Sequence, residues 1–460
     1  MIDTKALRTR ILDLAIQGKL TEQLESEIVD SEDKITIIET PRLIPSNWKW
    51  TTIENIISKD VGGGTPSKSV PEYWENGIIP WMSVKDFSSA QNGILEDTID
   101  HITQAGLENS SSNLVDSNAI IICMRMALGK IVKLKKPMAI NQDLRAIWLK
   151  PYVDNDYFVY FYSTLKVEGH GMTVAGINKK QLLNYPFPLP PLAEQKRIVQ
   201  RVEKIFHILD TIDEAQDKYS ADMDVLKSKL ITAGIQGKLT EQLESDGTAE
   251  ELYQQIQEEK DNILSERKGR KDNKIKPIGE DVPFEIPNNW KWIRFGETGF
   301  FRKGPFGSSL TKSMFVPKNE DTIKVYEQQH AIKKDDSLGE YYITSEYFDA
   351  TMSGFEVISG DIIISCAGTI GETYIMPDKI EKGIINQALM RVTVVPSIDK
   401  QFFLYYFDAN LKQNAKEGNG MAITNIPPFD VLKNWYFPLP PLDEQKRIAE
   451  KLERLLGALG

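Results

Sequence analysis

Cysteine is nearly absent from this chain. Among 460 residues there are two, Cys123 and Cys366, far apart and without a CxxC neighbour. That argues against a disulfide framework or a thiolate zinc site and suits a reducing cytoplasm. Histidine is almost as scarce. The four present, His101, His170, His207 and His330, show no metal-ligand spacing. No apolar run approaches the roughly 20 residues of a membrane helix. The opening MIDTKALRTR is charged and has no signal-peptide core, so a cytoplasmic location is expected. A basic surplus is missing too: 55 Lys and Arg stand against 66 Asp and Glu, a net charge of -11. Nucleic-acid binding usually leaves a basic footprint, so the total argues against it. Position matters more than the sum, because segments 45–190 and 287–440 are close to neutral and the acidic excess lies around them.

Compact catalytic signatures are also lacking. GGGTPSKS at Gly62–Ser69 looks like a phosphate-binding loop, but Ser67 holds the place of the glycine needed before the lysine, and Pro66 removes a backbone donor. IPPF at Ile426–Phe429 resembles the tetrapeptide of amino-methyltransferases, yet the side chain of Ile426 cannot accept a hydrogen bond from a target amino group. There is no GxSxG and no HExxH.

What the chain does have is repetition. IQGKLTEQLES stands at Ile16–Ser26 and again, letter for letter, at Ile235–Ser245. NWKW recurs at Asn47–Trp50 and Asn289–Trp292. FPLPPL recurs at Phe187–Leu192 and Phe437–Leu442, followed by AEQKRI and DEQKRI. Weaker pairs lie between: SNAIII with SGDIII, INQDL with INQAL, EGHGM with EGNGM. The remaining sequence diverges, which predicts two domains that share a fold but not a surface. The middle of the chain carries the C-terminal element followed by the N-terminal one, so the order reads as a circular pseudo-twofold arrangement.

From Ile198 through Val202, Ile205, Leu209, Ile212, Gln216, Tyr219, Met223, Leu226 and Leu230 to Ala233, spacings of four and three alternate. That heptad seam, polar only at Gln216, predicts a coiled coil. Ile448, Leu452, Leu455 and Leu459 repeat it, and Leu7, Ile11 and Leu14 continue it. The expected fold is α+β: two similar mixed α/β globules joined by long antiparallel coiled-coil helices. Expected boundaries are an N-terminal helical segment at 1–44, a first domain at 45–190, a central coiled-coil spacer at 191–245, a charged linker or arm at 246–286, a second domain at 287–440, and a C-terminal helix at 441–460.

These features together resemble the specificity (S) subunits of type I restriction-modification systems. GGGTPSKSVPEYWENGIIPWMSVKDF at Gly62–Phe87 looks like one common opening of their target recognition domains. GPFGSSLTKS at Gly304–Ser313, with SCAGTIGE at Ser365–Glu372 and INQAL, looks like another. The resemblance implies a chain without catalysis, cofactor or metal of its own. Each domain would read one half of a bipartite asymmetric site on double-stranded DNA. The helical spacers would set the gap and dock two methyltransferase (M) subunits, which hold S-adenosylmethionine and methylate adenine. Up to two restriction (R) motor-nuclease subunits, using ATP and Mg, would complete the complex.

Arg and Lys suit guanine and phosphate, Asn and Gln suit adenine, and glycine loops let backbone approach a duplex. On those grounds the first-domain DNA candidates are Thr65, Ser67, Lys68, Ser83, Lys85, Arg125, Lys130, His170, Thr173 and Lys179. The second-domain candidates are Lys303, Ser308, Ser309, Lys312, Gln328, Gln329, His330, Asn419 and Thr424. Asn141-Gln142 and Asn386-Gln387 recur in both domains. Domains that read different bases should not share their reading residues, so these pairs are expected to brace a turn or touch the backbone. Two rival readings compete with this one. A coiled-coil scaffold would bind proteins only, and a single-chain methyltransferase or nuclease would transfer methyl groups or cut without partners.

Overall fold

The structure is a computed structural model that describes residues 1–29, 43–91, 93–169, 175–266, 275–417 and 426–459. The chain divides into two compact units, Met1–Lys218 and Tyr219–Gly460.

In the first unit, helix α1 (Thr4–Ala15) is capped by Asp3, whose carboxylate accepts from the Ala6 N–H. It runs against the first half of helix α3 (Leu192–Ile235). Thr4 Oγ1 donates to Asp213 at 2.5 Å, Arg8 pairs with Asp210 at 2.7 Å, and Ala15 reaches the core that holds Ile198 and Val202. Residue numbers rise along one helix as they fall along the other, so the pair is antiparallel. The seam of α3 is covered where a partner helix lies on it: Ile198, Val202 and Leu209 are buried. Near its middle the seam lies open, with Tyr219 61% exposed.

Between α1 and α3 sits the first globular domain. Strand β1 (Lys49–Thr52) pairs with β7 (Pro186–Leu189), Trp50 opposite Pro188. The central sheet follows the order β2 (Ile57–Gly62), β6 (Leu144–Leu149), β3 (Ile120–Cys123), β4 (Ile131–Leu134), with Ile94–Leu95 at its edge. All four residues of β3 are buried, as a continuous apolar run between two neighbours requires. A second sheet places β5 (Met138–Ile140) beside Ile79–Met82, parallel to it. Helix α2 (Asn155–Ser163) covers the first sheet with Tyr157, Phe158, Phe161 and Tyr162, all buried.

The second unit repeats this plan, with four strands in the central sheet instead of five. β8 (Lys291–Arg294) pairs with β15 (Tyr436–Leu439) in the same register, Trp292 opposite Pro438. The central sheet runs β9 (Gly299–Lys303), β14 (Leu389–Val394), β11 (Ile362–Ser365), β12 (Thr373–Ile375). In the second sheet β10 (Thr322–Tyr326) lies parallel to β13 (Gly383–Ile385). Helix α5 (Lys400–Glu417) takes the place of α2 and buries Phe402, Phe403, Tyr406 and Phe407. The end of α3 packs on helix α6 (Leu442–Ala458), where a Cβ on Gly234 would meet Leu452 at 3.0 Å.

The charged segment 246–286, expected as a partly helical arm or linker, is helical over part of its length, and that helix docks on the second core. It is helix α4 (Ala249–Glu266), whose Ala249, Leu252 and Ile256 are buried there. The spacing of three and four puts those residues on one face, so a short apolar stripe in a mostly charged sequence is enough to dock the helix. Tyr253 Oη donates to Glu297 at 2.6 Å, and Ser397 Oγ donates to Glu259 at 2.7 Å.

The repeated motifs meet each other inside each unit. Glu194 is fully buried and accepts from Trp48 Nε1 at 2.8 Å, Gln23 Nε2 at 2.6 Å and Thr21 Oγ1 at 3.2 Å. Glu444 does the same with Trp290, Gln242 and Thr240, at 2.8, 2.8 and 3.0 Å. The next residue ties the helix to its domain. Gln195 accepts from the Asp154 N–H at 2.7 Å, and Gln445 accepts from the Asp399 N–H at 2.8 Å. Arg197 then pairs with Glu27, and Arg447 with Asp246, both at 2.6 Å. Gly18 and Gly237 both have φ of +69°, and a Cβ there would meet the ring of Pro45 at 2.3 Å or of Pro287 at 2.4 Å. The letters of TEQ, NWKW and EQKR are therefore the two halves of one clasp.

Candidate nucleic-acid interface

Three loops gather at one end of each central sheet. In the first domain Arg145 pairs with Gly62 and Leu144 with Cys123. The end of β2, the end of β3 and the start of β6 therefore lie side by side. The chain after β2 passes so close to the β5–β6 turn that a Cβ on Gly63 would stand 2.1 Å from the Ile140 carbonyl oxygen. In the second domain the same approach is made by Gly304, 1.8 Å from the Asn386 carbonyl oxygen on the same measure. Only glycine fits there, which is why a glycine-led loop follows the strand in both domains.

The recurring Asn-Gln pair forms that turn. Asn141 Oδ1 accepts from the Asp143 N–H at 3.0 Å, and Asn386 Oδ1 accepts from the Ala388 N–H, also at 3.0 Å. Each asparagine thus closes an Asx turn. Gln142 and Gln387 stand exposed at the tip. The loop after β3 joins through the Met124 N–H, which donates to Asp143 O at 2.8 Å, and through Arg125, 3.7 Å from the Asp143 carboxylate.

The sequence-derived candidates fall into three groups. Ser67, Lys68, Lys85, Arg125 and Lys130 are exposed in the first domain, as are Lys303, Ser308 and Lys312 in the second. Of these, Ser67, Lys68, Arg125, Lys130, Lys303 and Ser308 lie on or beside the gathered loops. Thr65 and Ser309 are half-buried, with Thr65 donating to Gln142.

A second group is held in structural bonds. Ser83 is buried and bonded to Asp86 at 3.0 Å in a capping box. His330 is fully buried; its Nδ1 lies 2.8 Å from the Glu327 N–H and its Nε2 lies 2.6 Å from Leu338 O. Both ring nitrogens are used, so this histidine builds the turn after Gln328–Lys333 and presents nothing outward. Gln328 donates to Ala367 O and so ties that short helix to the loop after β11. Gln329 donates to Glu327 at 2.9 Å. Lys179 is half-exposed but lies 2.8 Å from Asp60, which also takes Arg145. Burial by itself would push Asp60 up; hydrogen bonds from Lys179 and Arg145, with their charge, outweigh it and hold the carboxyl below its usual range. The third group, His170, Thr173, Asn419 and Thr424, lies outside the described residues.

Sequence reasoning missed two exposed side chains on these loops. Phe306 is 86% exposed beside Ser308, and Met126 is 69% exposed beside Arg125. Aligning CMRMALG with SCAGTIG would have shown Met126 standing where the second domain has Gly368.

This architecture defines a class: two copies of one loop-bearing domain, each clasped by the same residues to antiparallel helices. The chain belongs to the family of the type I restriction modification DNA specificity domain, whose profile matches residues 45–218 and 307–459. Among its relatives is the EcoR124I/EcoR124II specificity subunit of Escherichia coli, 34% identical over 36% of this chain and 43% of that one. The EcoEI specificity subunit of Escherichia coli is 20% identical over 98% of this chain and 88% of that one. The MjaIX specificity subunit of Methanocaldococcus jannaschii is 29% identical over 34% of this chain and 37% of that one. The first and third of these matches span less than half of the relative. A solved chain described under complex assembly and conformational transition of the type I R-M system has the same fold, with a TM-score of 0.60, 17% identity, and 91% and 92% of the two chains covered. No described helix is long and apolar enough to cross a membrane.

Proposed function

We propose that the two domains of this specificity subunit each read one half of a bipartite, asymmetric site on double-stranded DNA, while the helices hold the halves at a set gap. The observation that carries this reading is the pairing of sameness with difference. The clasp, the shared strand order and the braced turn recur position by position, but the side chains on the gathered loops do not. A surface that needed one fixed protein partner would keep its loops alike. Changing loops on a constant support suit changing sequence targets, with exposed Lys, Arg and Ser for phosphate and base edges.

In this reading the chain performs no chemistry. Two adenine methyltransferase subunits dock on the two copies of the clasp and helix pair and bring S-adenosylmethionine. Up to two restriction subunits bring ATP and Mg, and the complex works in the cytoplasm. Methylome sequencing of a host with and without this chain tests the reading. A bipartite adenine motif should vanish with the chain. Methylation that persists, or methyl transfer by the purified chain alone, would overturn it.

A further inference from the structure

Met126 sits at the tip of the loop after β3 in a conformation that costs it energy. Its φ is +70°, and the Ala127 N–H donates across it to Arg125 O at 2.8 Å. That is a γ-turn of the positive-φ kind, which is rare and strained for any residue with a Cβ, because that carbon comes close to the following carbonyl oxygen. Two hydrogen bonds hold this conformation: the Met126 N–H donates to Ala175 O at 3.1 Å and Cys123 Sγ donates to Arg125 O at 2.9 Å.

The second domain has glycine where the first has Met126. Counting from matched strands, Gly368 occupies the position of Met126 with φ of +66°, and Gly371 matches Gly129 with +82° against +83°. Packing does not explain the methionine, since 69% of its surface is open to solvent. Nor is it the usual kind of left-handed residue. Of the other two non-glycine residues with positive φ among those described, Asn76 is of a type that tolerates it, and Lys334 ends the helix Gln328–Lys333. Strain kept where glycine would relieve it, on an exposed loop, marks a side chain retained for what it touches.

What it would touch follows from chemistry and place. Met126 stands between Arg125 and Lys130 on the loops that our reading assigns to DNA. An unbranched apolar side chain offers no hydrogen bond to phosphate or to a base edge. The one apolar group on the major-groove edge of a base pair is the C5-methyl of thymine. We propose that Met126 reads a thymine methyl within the half-site of the first domain. This rests on the proposed function, and the second domain, with glycine there, lacks the contact.

The test uses the chain assembled with its methyltransferase subunits, and duplexes in which each thymine of the first half-site is replaced singly by uracil. Uracil pairs as thymine does and differs only by the methyl. One substitution should weaken binding by the wild-type complex about fourfold, the worth of one buried methyl group. In Met126→Gly, binding to the thymine duplex should fall by a similar factor, and that uracil should then make no further difference. The thermal midpoint of M126G should equal or exceed that of wild type, because glycine relieves the turn. No uracil-sensitive position in wild type, or the same uracil penalty kept in M126G, would overturn the proposal. If the wild-type complex showed no preference for a bipartite site at all, the DNA reading itself would fail, which is a separate result.

Discussion

At the scale of single residues, the repeated letters divide by task. Glu194 and Glu444 are buried carboxylates, each kept by three donors from two other segments. Removing either acceptor strips an indole, an amide and a hydroxyl of their shared carboxylate, and leaves each amide only backbone carbonyls to donate to, Gly18 O for Gln23 and Gly237 O for Gln242. Glu194→Ala and Glu444→Ala should each cost about 2–4 kcal/mol of stability, read by denaturant unfolding. The outer part of the clasp responds to acid. The hydrogen bond from Arg197, with its charge, holds Glu27 below its usual range, and Arg447 does the same for Asp246, against a smaller opposing push from burial. A lowered carboxylate contributes stability above its unfolded value and loses that contribution as pH falls through its folded value. The gap in melting temperature between wild type and the double variant E27Q/D246N should therefore shrink from neutrality to about pH 3. A gap that stayed constant would mean the two ion pairs contribute nothing in solution.

At the scale of elements, the gathered loops depend on close backbone approach. Gly63 and Gly304 lie where no Cβ fits. Gly63→Ala should displace the 62–68 loop from the Asn141 turn while leaving the sheets intact. Binding to the first half-site should weaken at least about tenfold, because a misplaced contact loses its geometry. Gly304→Ala should act on the second half-site alone. Binding to duplexes mutated in one half at a time separates the two effects. Helix α4 carries a different lesson. Its sequence is charged over most of its length, and composition by itself suggests a solvated arm. Three small or apolar side chains on one face dock it, and those three are too few to stand out in a window of charges.

At the scale of the whole molecule, two same-fold domains on one kind of clasp should behave as modules. Exchanging residues 45–190 for the matching domain of a relative should change one half of the methylated motif and leave the other alone. If both halves changed together, the domains would not be independent readers. The duplicated clasp also predicts stoichiometry. Native mass spectrometry at saturating methyltransferase subunit should show two such subunits per chain, and a stable one-to-one complex would contradict docking on both copies.

The sequence by itself determined the duplication, the shared fold and the long helix. Exact repeats and a 3.5-residue period are local patterns, and local patterns survive in one dimension. It also led to the expectation that Asn141-Gln142 and Asn386-Gln387 brace a turn or touch the backbone, since residues shared by two different readers should not be the ones that differ; the structure shows that the asparagines brace the turn while the glutamines stand exposed at its tip. Tertiary structure alone decided which candidates face outward. Ser83 and His330 have types and neighbours that suit a DNA loop, yet Asp86 and the Leu338 carbonyl take their polar atoms. Lys179 was equally plausible until Asp60, 119 positions away in the chain, was seen beside it. Burial and pairing depend on contacts between distant segments, and no local spacing encodes them. The same holds for Met126: its letter is ordinary, and only the backbone angle at which it is held shows that something is asked of it.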